Sequence, residues 1–413
     1  MTYEKYLSEI QAMRGELGTV TAELVRKPSE TPPSDTRAVA DSVVQYVKTI
    51  PGVDVTVYDS EEPIRNIVAV LKSGKPGKRL ILNGHLDTYP AGDHSAWTHS
   101  PFSGLSEGER IYGRGSGDMK GGLAAAMITM KTLAAHKDDW VGELVLTFAG
   151  DEESMGTLGT KYLLDNVPEA RGDAMLCADV GSPIVPRIGE KGMIWIDVFA
   201  AGKPSHGAHV HKGINAIDRL RNAMDALDSL NDFHVKTPAD VAAVIEAAKS
   251  ISEPLAGDGE ARVMQSVTIN FGRISGGISA NLVPNYAELN ADIRLPMGSC
   301  VAEIEAEIER LLKPLDGITF SIIRRYEPTW TAPTDPIVEA VSSACKSVLG
   351  QSPALNMRVG ASDARLYRAA GMPTVVCGLT PHNLGGPDEY TELSEIVTVT
   401  QIHTLAALLF LSA

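Results

Sequence analysis

Residues 143–153 read ELVLTFAGDEE, an apolar, β-rich run that ends in three consecutive carboxylates. The run predicts a buried strand over Glu143–Phe148, and the apolar stretch before it predicts a helix over Lys120–Ala135. Further β-rich runs lie upstream at Val53–Tyr58, Asn66–Leu71 and Arg79–Leu82. Alternation of strands with helices predicts an α/β sheet, and polar groups at its strand ends are candidates for chemistry.

The pattern changes after Asp179, which indicates a second domain. A helix at Gly213–Leu230 and strands at Met193–Ala200, Val263–Ile274 and Tyr286–Arg294 predict an α+β unit. The earlier pattern resumes from about Ala302. Because 413 residues exceed the usual size of one hydrophobic core, we predict a discontinuous α/β domain over residues 1–182 and 297–413. The inserted α+β domain would then cover residues 183–296.

Composition and charge narrow the class of protein. A hydrophobic fraction of 44% and a charged fraction of 22% are typical of an ordinary globular protein. The formal charge of −15 would repel nucleic acid and an anionic membrane surface, so neither is an expected partner. The N-terminal residues are polar, and no run of ~18 apolar residues occurs. The four cysteines are widely spaced, which favours free thiols in a reducing compartment. We therefore expect a cytoplasmic enzyme.

Two motifs supply candidate metal ligands. LNGHLD, residues 82–87, places His85 just past a strand, with Asp87 close enough to fix its tautomer. Alone, such a histidine is more often structural. YGRGSGDMKGG, residues 112–122, ends a glycine-dense loop in Asp118 at the start of a helix. A nucleotide loop is disfavoured, because the third glycine of GxGxxG would fall on Lys120 and no GK[ST] follows.

The carboxylates at 151–153 follow a buried strand directly, and neighbouring acidic side chains repel one another unless a cation neutralises them. A solvated acidic loop is the alternative interpretation of that run alone. Asp179 closes a further apolar strand, so four strand-end polar groups can converge on one edge of the sheet. Imidazole and carboxylates together suit Zn²⁺, Mn²⁺ or Co²⁺ better than Ca²⁺. The sequence therefore predicts a metal site.

These motifs also resemble those of the M20 family of metallopeptidases and amidohydrolases, over nearly the whole chain. The matching segments are GHLDTYP at 84–90, GRGSGDMKGG at 113–122, GDEE at 150–153, GKPSHGAHVHKGINAI at 202–217, SANLVP at 279–284 and GASDARL at 360–366. The resemblance implies a mixed-sheet, zinc-peptidase-like catalytic domain with an inserted dimerisation or lid domain, and hence a homodimer.

The resemblance further implies the roles of the residues at the metal site. His85, Asp118 and Asp179 would hold one metal, and Asp118 would bridge to a second metal that Glu153 holds. Glu152 would be the general base, and Asp87 would orient His85. The peptide bond between Asp118 and Met119 is expected to be cis.

Other matching residues are expected to contact substrate. His206 would reach the active site of the partner subunit and stabilise the oxyanion, with Asn281 as a companion; an exposed lid histidine beside His209 and His211 is the alternative. Arg294 would grip a substrate carboxylate, or else form a surface ion pair near Asp292. Gly360 would approach the substrate closely, whereas Asp363 and Arg365 are open to the simpler interpretation that they pair with each other.

The chain departs from the family pattern at the last metal ligand. Aligning PHNLGGPDEY, residues 381–390, on Pro387 and Glu389 places Gly385 where the family has a histidine. His382 stands three residues earlier and reaches a second metal only if the loop is rebuilt. We therefore expect one or two metal ions per subunit, drawn from zinc, manganese and cobalt.

The expected activity is hydrolysis of a C–N bond in a small carboxylate-bearing substrate, such as an N-acyl amino acid or a short peptide. One alternative is hydrolytic deamination of an aromatic amino acid such as 5-nitroanthranilate at a single-metal site. Another is a non-catalytic binding homologue, against which the presence of Glu152 argues. A serine hydrolase is disfavoured as well.

Overall fold

The computed structural model describes residues 3–412 and divides the chain into two compact units. Unit 1 comprises Met1–Ile188, Trp330–Asn356 and Ser362–Ala413, and unit 2 comprises Gly189–Thr329 and Met357–Ala361. The helices are α1 (Glu4–Ala12), α2 (Arg14–Val25), α3 (Arg37–Val47), α4 (Gly121–Ala135), α5 (Thr160–Asn166), α6 (Ala216–Asp228), α7 (Ala239–Ala256), α8 (Glu260–Gln265), α9 (Val301–Leu312), α10 (Pro336–Leu349), α11 (Ala364–Ala369) and α12 (Leu393–Leu411).

The strands are β1 (Val53–Glu61), β2 (Ile64–Lys72), β3 (Arg79–His85), β4 (Leu105–Glu107), β5 (Arg110–Tyr112), β6 (Glu143–Ala149), β7 (Ala174–Cys177), β8 (Arg187–Glu190), β9 (Gly192–Ala201), β10 (Ser205–His206), β11 (Thr268–Gly276), β12 (Leu282–Val283), β13 (Tyr286–Leu295), β14 (Ile318–Tyr326), β15 (Thr329–Trp330), β16 (Asn356–Arg358), β17 (Thr374–Val376) and β18 (Tyr390–Glu392). The first predicted strands thus recur with their bounds moved by a few residues.

Unit 1 is built on a mixed sheet with the strand order β1-β2-β6-β3-β7-β17-β8-β15, and β16 pairs with β8. The central strands β6, β3, β7 and β17 are parallel, whereas β1 and β2 are antiparallel to their neighbours. β3, β6 and β7 are buried over nearly their whole length, which is typical of parallel strands covered on both faces. The predicted mixed α/β fold is confirmed.

The last helix of unit 1, α12, is long and apolar enough to cross a membrane, the one helix of that kind in residues 3–412. It packs against α4 and α10, and 67% of its apolar window is buried within the protein. A core helix of a soluble protein has the same character, because a helix that is apolar all round must be buried somewhere.

Unit 2 contains a four-stranded antiparallel sheet in the order β11-β13-β9-β14. One face of this sheet is apolar because inward-facing residues alternate along β9 and β13, and α6 and α9 cover it. The hydrophobic core formed there includes Ile194, Ile196 and Val198 of β9, Leu220 of α6 and Ile304 and Ile308 of α9.

The inserted unit extends beyond the predicted boundary at residue 296. Segment 297–329, which the sequence analysis assigned to the main domain, forms α9 and β14, and β14 pairs with β9. A helix followed by a strand looks the same in sequence whichever sheet the strand joins, so the pattern could not place it. The strand predicted at Val263–Ile274 is also corrected: α8 ends at Gln265 and β11 begins at Thr268.

Candidate metal centre

His85 is the last residue of β3 and is buried at the edge of the parallel strands. Its Nε2 lies 2.9 Å from Oδ1 of Asp118, and its Nδ1 lies 2.9 Å from the main-chain carbonyl of Asp87. An Nδ1–H that donates to this carbonyl leaves the Nε2 lone pair directed at the carboxylates, as a metal ligand requires. The side chain of Asp87, to which we assigned the orienting role, lies 3.6 Å from Nδ1.

The Asp87 carboxylate instead holds the turn that carries the two glutamates. Its Oδ1 accepts the main-chain N–H of Glu152 and its Oδ2 accepts that of Glu153, both at 3.0 Å. The hydroxyl of Thr31 donates to the same Oδ2 at 3.0 Å. Burial raises the pKa of Asp87, while His85, the N–H of Glu153 and the hydroxyl of Thr31 act in the opposite direction. Asp87 therefore fixes the turn after β6, which carries Glu152 and Glu153, to the end of β3.

Asp118 lies in the turn Ser116–Lys120, which leads into α4, and its own backbone is not helical. The peptide bond between Asp118 and Met119 is cis, as the family resemblance implied. Glu389 anchors this turn, because its Oε1 accepts the main-chain N–H groups of Gly117 and Asp118 at 3.1 and 3.4 Å. The other oxygen of Glu389 pairs with the buried Arg114. The loop around Pro387–Glu389 therefore holds the main chain at Asp118 in place.

Two overlapping sets of side chains could hold a metal ion: His85 with Asp118 and Asp179, and His85 with Glu152 and Glu153. The ligand atoms within each set lie no more than 4.8 Å apart. The tertiary structure thus brings together five residues from four separate segments of the sequence. This cluster of His85, Asp118, Glu152, Glu153 and Asp179 is referred to below as the metal centre.

The electrostatics of the metal centre fit a bound cation. Burial raises the pKa of Glu153 to about 10, and the carboxylates of Asp118 and Glu152 add to the effect. Burial also raises the pKa of Glu152 well above its ordinary value. Burial lowers the pKa of His85, but the hydrogen bond and the charge of Asp118 raise it, and the net shift is upward. One oxygen of Glu153 is buried with no hydrogen-bond partner, which fits a ligand position for a divalent ion.

His382 lies outside both ligand sets. Its ring stacks on that of Tyr390, with centroids 4.5 Å apart and planes 5° apart, and its carbonyl accepts the main-chain N–H of Tyr390. Gly385, at the family's histidine position, has a φ of 73°, and its carbonyl accepts a hydrogen bond from Arg114. Among residues 3–412, no second histidine joins His85 in a ligand set.

The other predicted residues lie in unit 2. His206 and Asn281 are close to each other, because β10 pairs with β12 and the N–H of Gly207 donates to the carbonyl of Asn281. His206 is exposed, and its Nδ1 accepts the N–H of Ala208 at 3.2 Å. Arg294 forms an ion pair with Asp292, as its alternative interpretation anticipated. The substrate roles of Arg294, Asn281 and Gly360 stay predictions.

Arg365 is a neighbour of the metal centre that the sequence analysis did not connect with it. Its Nη1 lies 4.0 Å from Oε1 of Glu152, and both side chains are largely buried. Arg365 belongs to the GASDARL motif, but that motif suggested only that Arg365 pairs with Asp363. The carboxylate of Asp363 accepts a hydrogen bond from the hydroxyl of Thr160 at 2.7 Å.

Comparison with known proteins agrees with this geometry. Residues 81–409 match the profile described as peptidase family M20/M25/M40. A succinyl-diaminopimelate desuccinylase of Methylorubrum extorquens is 29% identical over 353 residues, covering 82% of this chain and 84% of the relative.

Among solved structures, an M20 family metallo-carboxypeptidase of Sulfolobus solfataricus has a TM-score of 0.78 at 19% identity, covering 96% of this chain and 99% of that chain. A dinuclear metal-binding M20 peptidase of Bacillus subtilis has a TM-score of 0.68 at 13% identity, covering 97% and 99%. At these identities the two structures support the fold alone.

Proposed function

This chain belongs to peptidase family M20/M25/M40, and on that premise we propose that it hydrolyses a C–N bond in a small carboxylate-bearing substrate. Metal-dependent hydrolysis of amide or peptide bonds is the activity of the family. N-acyl amino acids and short peptides are the substrates we propose. The observation that carries the proposal is the convergence of one imidazole and four carboxylates in the metal centre.

A divalent cation, when bound, supplies Lewis-acid chemistry that acidifies a water molecule and polarises a substrate carbonyl. His85, Asp118 and Asp179 would hold it. Glu152 then accepts a proton from the attacking water and passes it to the leaving amine, so that the proton gained in the first step is released in the last. Burial raises the pKa of Glu152, which brings a carboxylate closer to the range in which a general base is effective at neutral pH.

We test this role with Glu152→Gln, which retains the size of the side chain but cannot accept the proton. Turnover of N-succinyl and N-acetyl amino acids and of dipeptides should fall by about 10² to 10⁴-fold, with the metal content unchanged. Glu62→Gln is a matched control, because Glu62 is exposed and lies outside the metal centre. Unchanged turnover in a metal-loaded, folded Glu152→Gln protein would contradict the proposal.

We propose further that each chain binds one ion tightly. The first set retains a histidine and two aspartates, whereas a second ion would have Glu153 and a shared Asp118 but no histidine of its own. The stacking of His382 on Tyr390 supports this count. Inductively coupled plasma mass spectrometry of protein loaded separately with zinc, manganese or cobalt measures the stoichiometry. Two ions per chain after removal of excess metal would contradict the single-ion proposal.

Within residues 3–412 the two ligand sets share one histidine, and this also favours a second candidate activity, hydrolytic deamination of an aromatic amino acid. A single ion would still activate water but would lack the two-metal clamp on an amide oxygen. Release of ammonia from 5-nitroanthranilate, with no turnover of N-acyl amino acids, would favour this candidate. A non-catalytic homologue would show neither activity after metal loading.

The subunit arrangement is likewise a proposal: a homodimer through unit 2, in which His206 acts at the partner subunit's metal centre. The exposure of His206 is compatible with such a role. Mixed dimers of His206→Ala and Glu152→Gln subunits should recover part of the activity, because one of the two sites would then be intact. No recovery in verified mixed dimers would argue for sites complete within one chain.

All four cysteines are free, which supports the proposed location in the reducing cytoplasm.

A further inference from the structure

The turn that carries Glu152 spans residues 151–156 and is referred to here as the catalytic turn. Asp87 holds the main-chain N–H groups of Glu152 and Glu153, as described above. The far end of the turn has a different anchor. Nη2 of Arg365 donates to the carbonyl of Met155 at 2.7 Å, and the N–H of Met155 closes the turn onto the carbonyl of Glu152. Arg365 is thus tied to the main chain beside the proposed base.

Arg365 is itself held firmly by the segment it belongs to. It lies in the first turn of α11, and its Nη1 donates to the carbonyl of Ser362. The same segment approaches the catalytic turn closely, because a Cβ on Gly156 would lie 2.6 Å from Oδ1 of Asp363. Gly156 has a φ of 73°, which also favours glycine. The guanidinium therefore has little freedom to move relative to the turn.

The guanidinium faces the side chain of the proposed base as well as its main chain. Nη1 lies 4.0 Å from Oε1 of Glu152, and the two side chains are 4% and 12% exposed. At this distance and burial the charges attract with little screening by solvent. Because an arginine keeps its protons at all ordinary pH values, Arg365 cannot exchange a proton with Glu152. Arg365 therefore acts on the position of the carboxylate and, as a nearby positive charge, lowers the pKa of Glu152.

We propose that Arg365 is a positioning residue, which fixes the catalytic turn through Met155 and draws the Glu152 carboxylate into one orientation by charge. This inference rests on the proposed function, in which Glu152 is the general base. The main-chain contact and the charge contact come from the same rigid guanidinium fork. Lysine, with one ammonium group, can reproduce the charge but not both contacts at once.

The test compares Arg365→Met and Arg365→Lys with the same two changes at Arg368. Arg368 lies on the same helix, is 8% exposed, and donates to the carbonyl of Thr374. Arg365→Met should lower kcat by about 100-fold, the effect of misplacing a catalytic group by roughly 1 Å, while KM and metal content stay close to those of the unchanged protein. Arg365→Lys should recover part of that loss. The Arg368 variants should lower the melting temperature without a comparable loss of kcat.

Loss of kcat in Arg368→Met equal to that in Arg365→Met would overturn the proposal, since the effect would then follow from loosening α11. An undiminished kcat in Arg365→Met would overturn it too. If Arg365→Met does not fold, Arg365→Lys decides the matter: a kcat equal to that of the unchanged protein rejects the positioning role. Failure of the proposed function is separate, because it would show as full turnover by metal-loaded Glu152→Gln.

Discussion

Asp87→Asn isolates the contribution of one carboxylate to the geometry of the metal centre. Asp87 is fully buried, and its two oxygens accept three hydrogen bonds, from the N–H groups of Glu152 and Glu153 and from the hydroxyl of Thr31. Asparagine has nearly the same shape, but one of its oxygens is replaced by a donor. That NH₂ group must face a main-chain N–H whichever way the amide is turned, because each oxygen of Asp87 accepts from a different glutamate.

The magnitude follows from those contacts. The substitution removes one hydrogen bond to a charged acceptor, worth about 1.5–3 kcal/mol, and weakens the bonds that remain because the charge is lost. The free energy of unfolding should therefore fall by about 2–4 kcal/mol. One end of the catalytic turn would also be released, so kcat should fall by about 100-fold.

Urea unfolding of metal-loaded protein, followed by circular dichroism, measures the change in stability, and kcat is measured on the same preparations. Thr31→Val is the matched control, because it removes one neutral donor and leaves both main-chain bonds to Asp87. Its cost should be about 1.5 kcal/mol, the lower end of the range for a bond to a charged acceptor, because both main-chain donors to Asp87 stay in place, and kcat should change little. The reasoning is refuted if Asp87→Asn is no more destabilising than Thr31→Val, or if it retains full kcat.

Two further predictions concern unit 1. His403 is buried, its Nε2–H donates to the carbonyl of Cys377, and its Nδ1 has no partner. Burial lowers the pKa of His403 from 6.5 to about 4, so the unfolded chain takes up the proton first and stability is lost as pH falls from 6.5 towards 4. The loss should reach about 3 kcal/mol; urea unfolding at pH 7 and 4.5 should show a smaller loss for His403→Gln, and an equal loss would refute the assignment. Gly142→Ala should cost about 3 kcal/mol, because its Cβ would lie 2.0 Å from the carbonyl of Lys78 at a φ of 83°. Gly350→Ala, at a φ of 74° in open space, should cost about 1 kcal/mol; equal melting temperatures for the two variants would contradict this.

Strand ends were the part of the metal centre most accessible from sequence. An apolar run indicates a buried strand, and a polar residue directly after the run must lie at the edge of the sheet. His85 and the carboxylates at 152 and 153 have this position, and β3 and β6 are adjacent and parallel. Local pattern was therefore enough to bring them together.

The tertiary contacts were not accessible in the same way. The sequence suggested that Asp87 orients His85, yet its carboxylate accepts hydrogen bonds from the β6 turn, more than sixty residues further along the chain. Arg365 lies beside Glu152 although they are more than two hundred residues apart. Such pairs arise from packing between segments, and no local periodicity encodes them.

The sequence by itself thus determined the α/β class, the presence of an inserted unit and the chemistry of the metal ligands, because periodicity and residue type are local properties of the chain. Only the tertiary structure decided where the insertion ends, since β14 joins the sheet of unit 2. It also decided that His382 stacks on Tyr390 outside the ligand sets. Both outcomes depend on which distant surface a segment packs against, which is a property of the folded molecule.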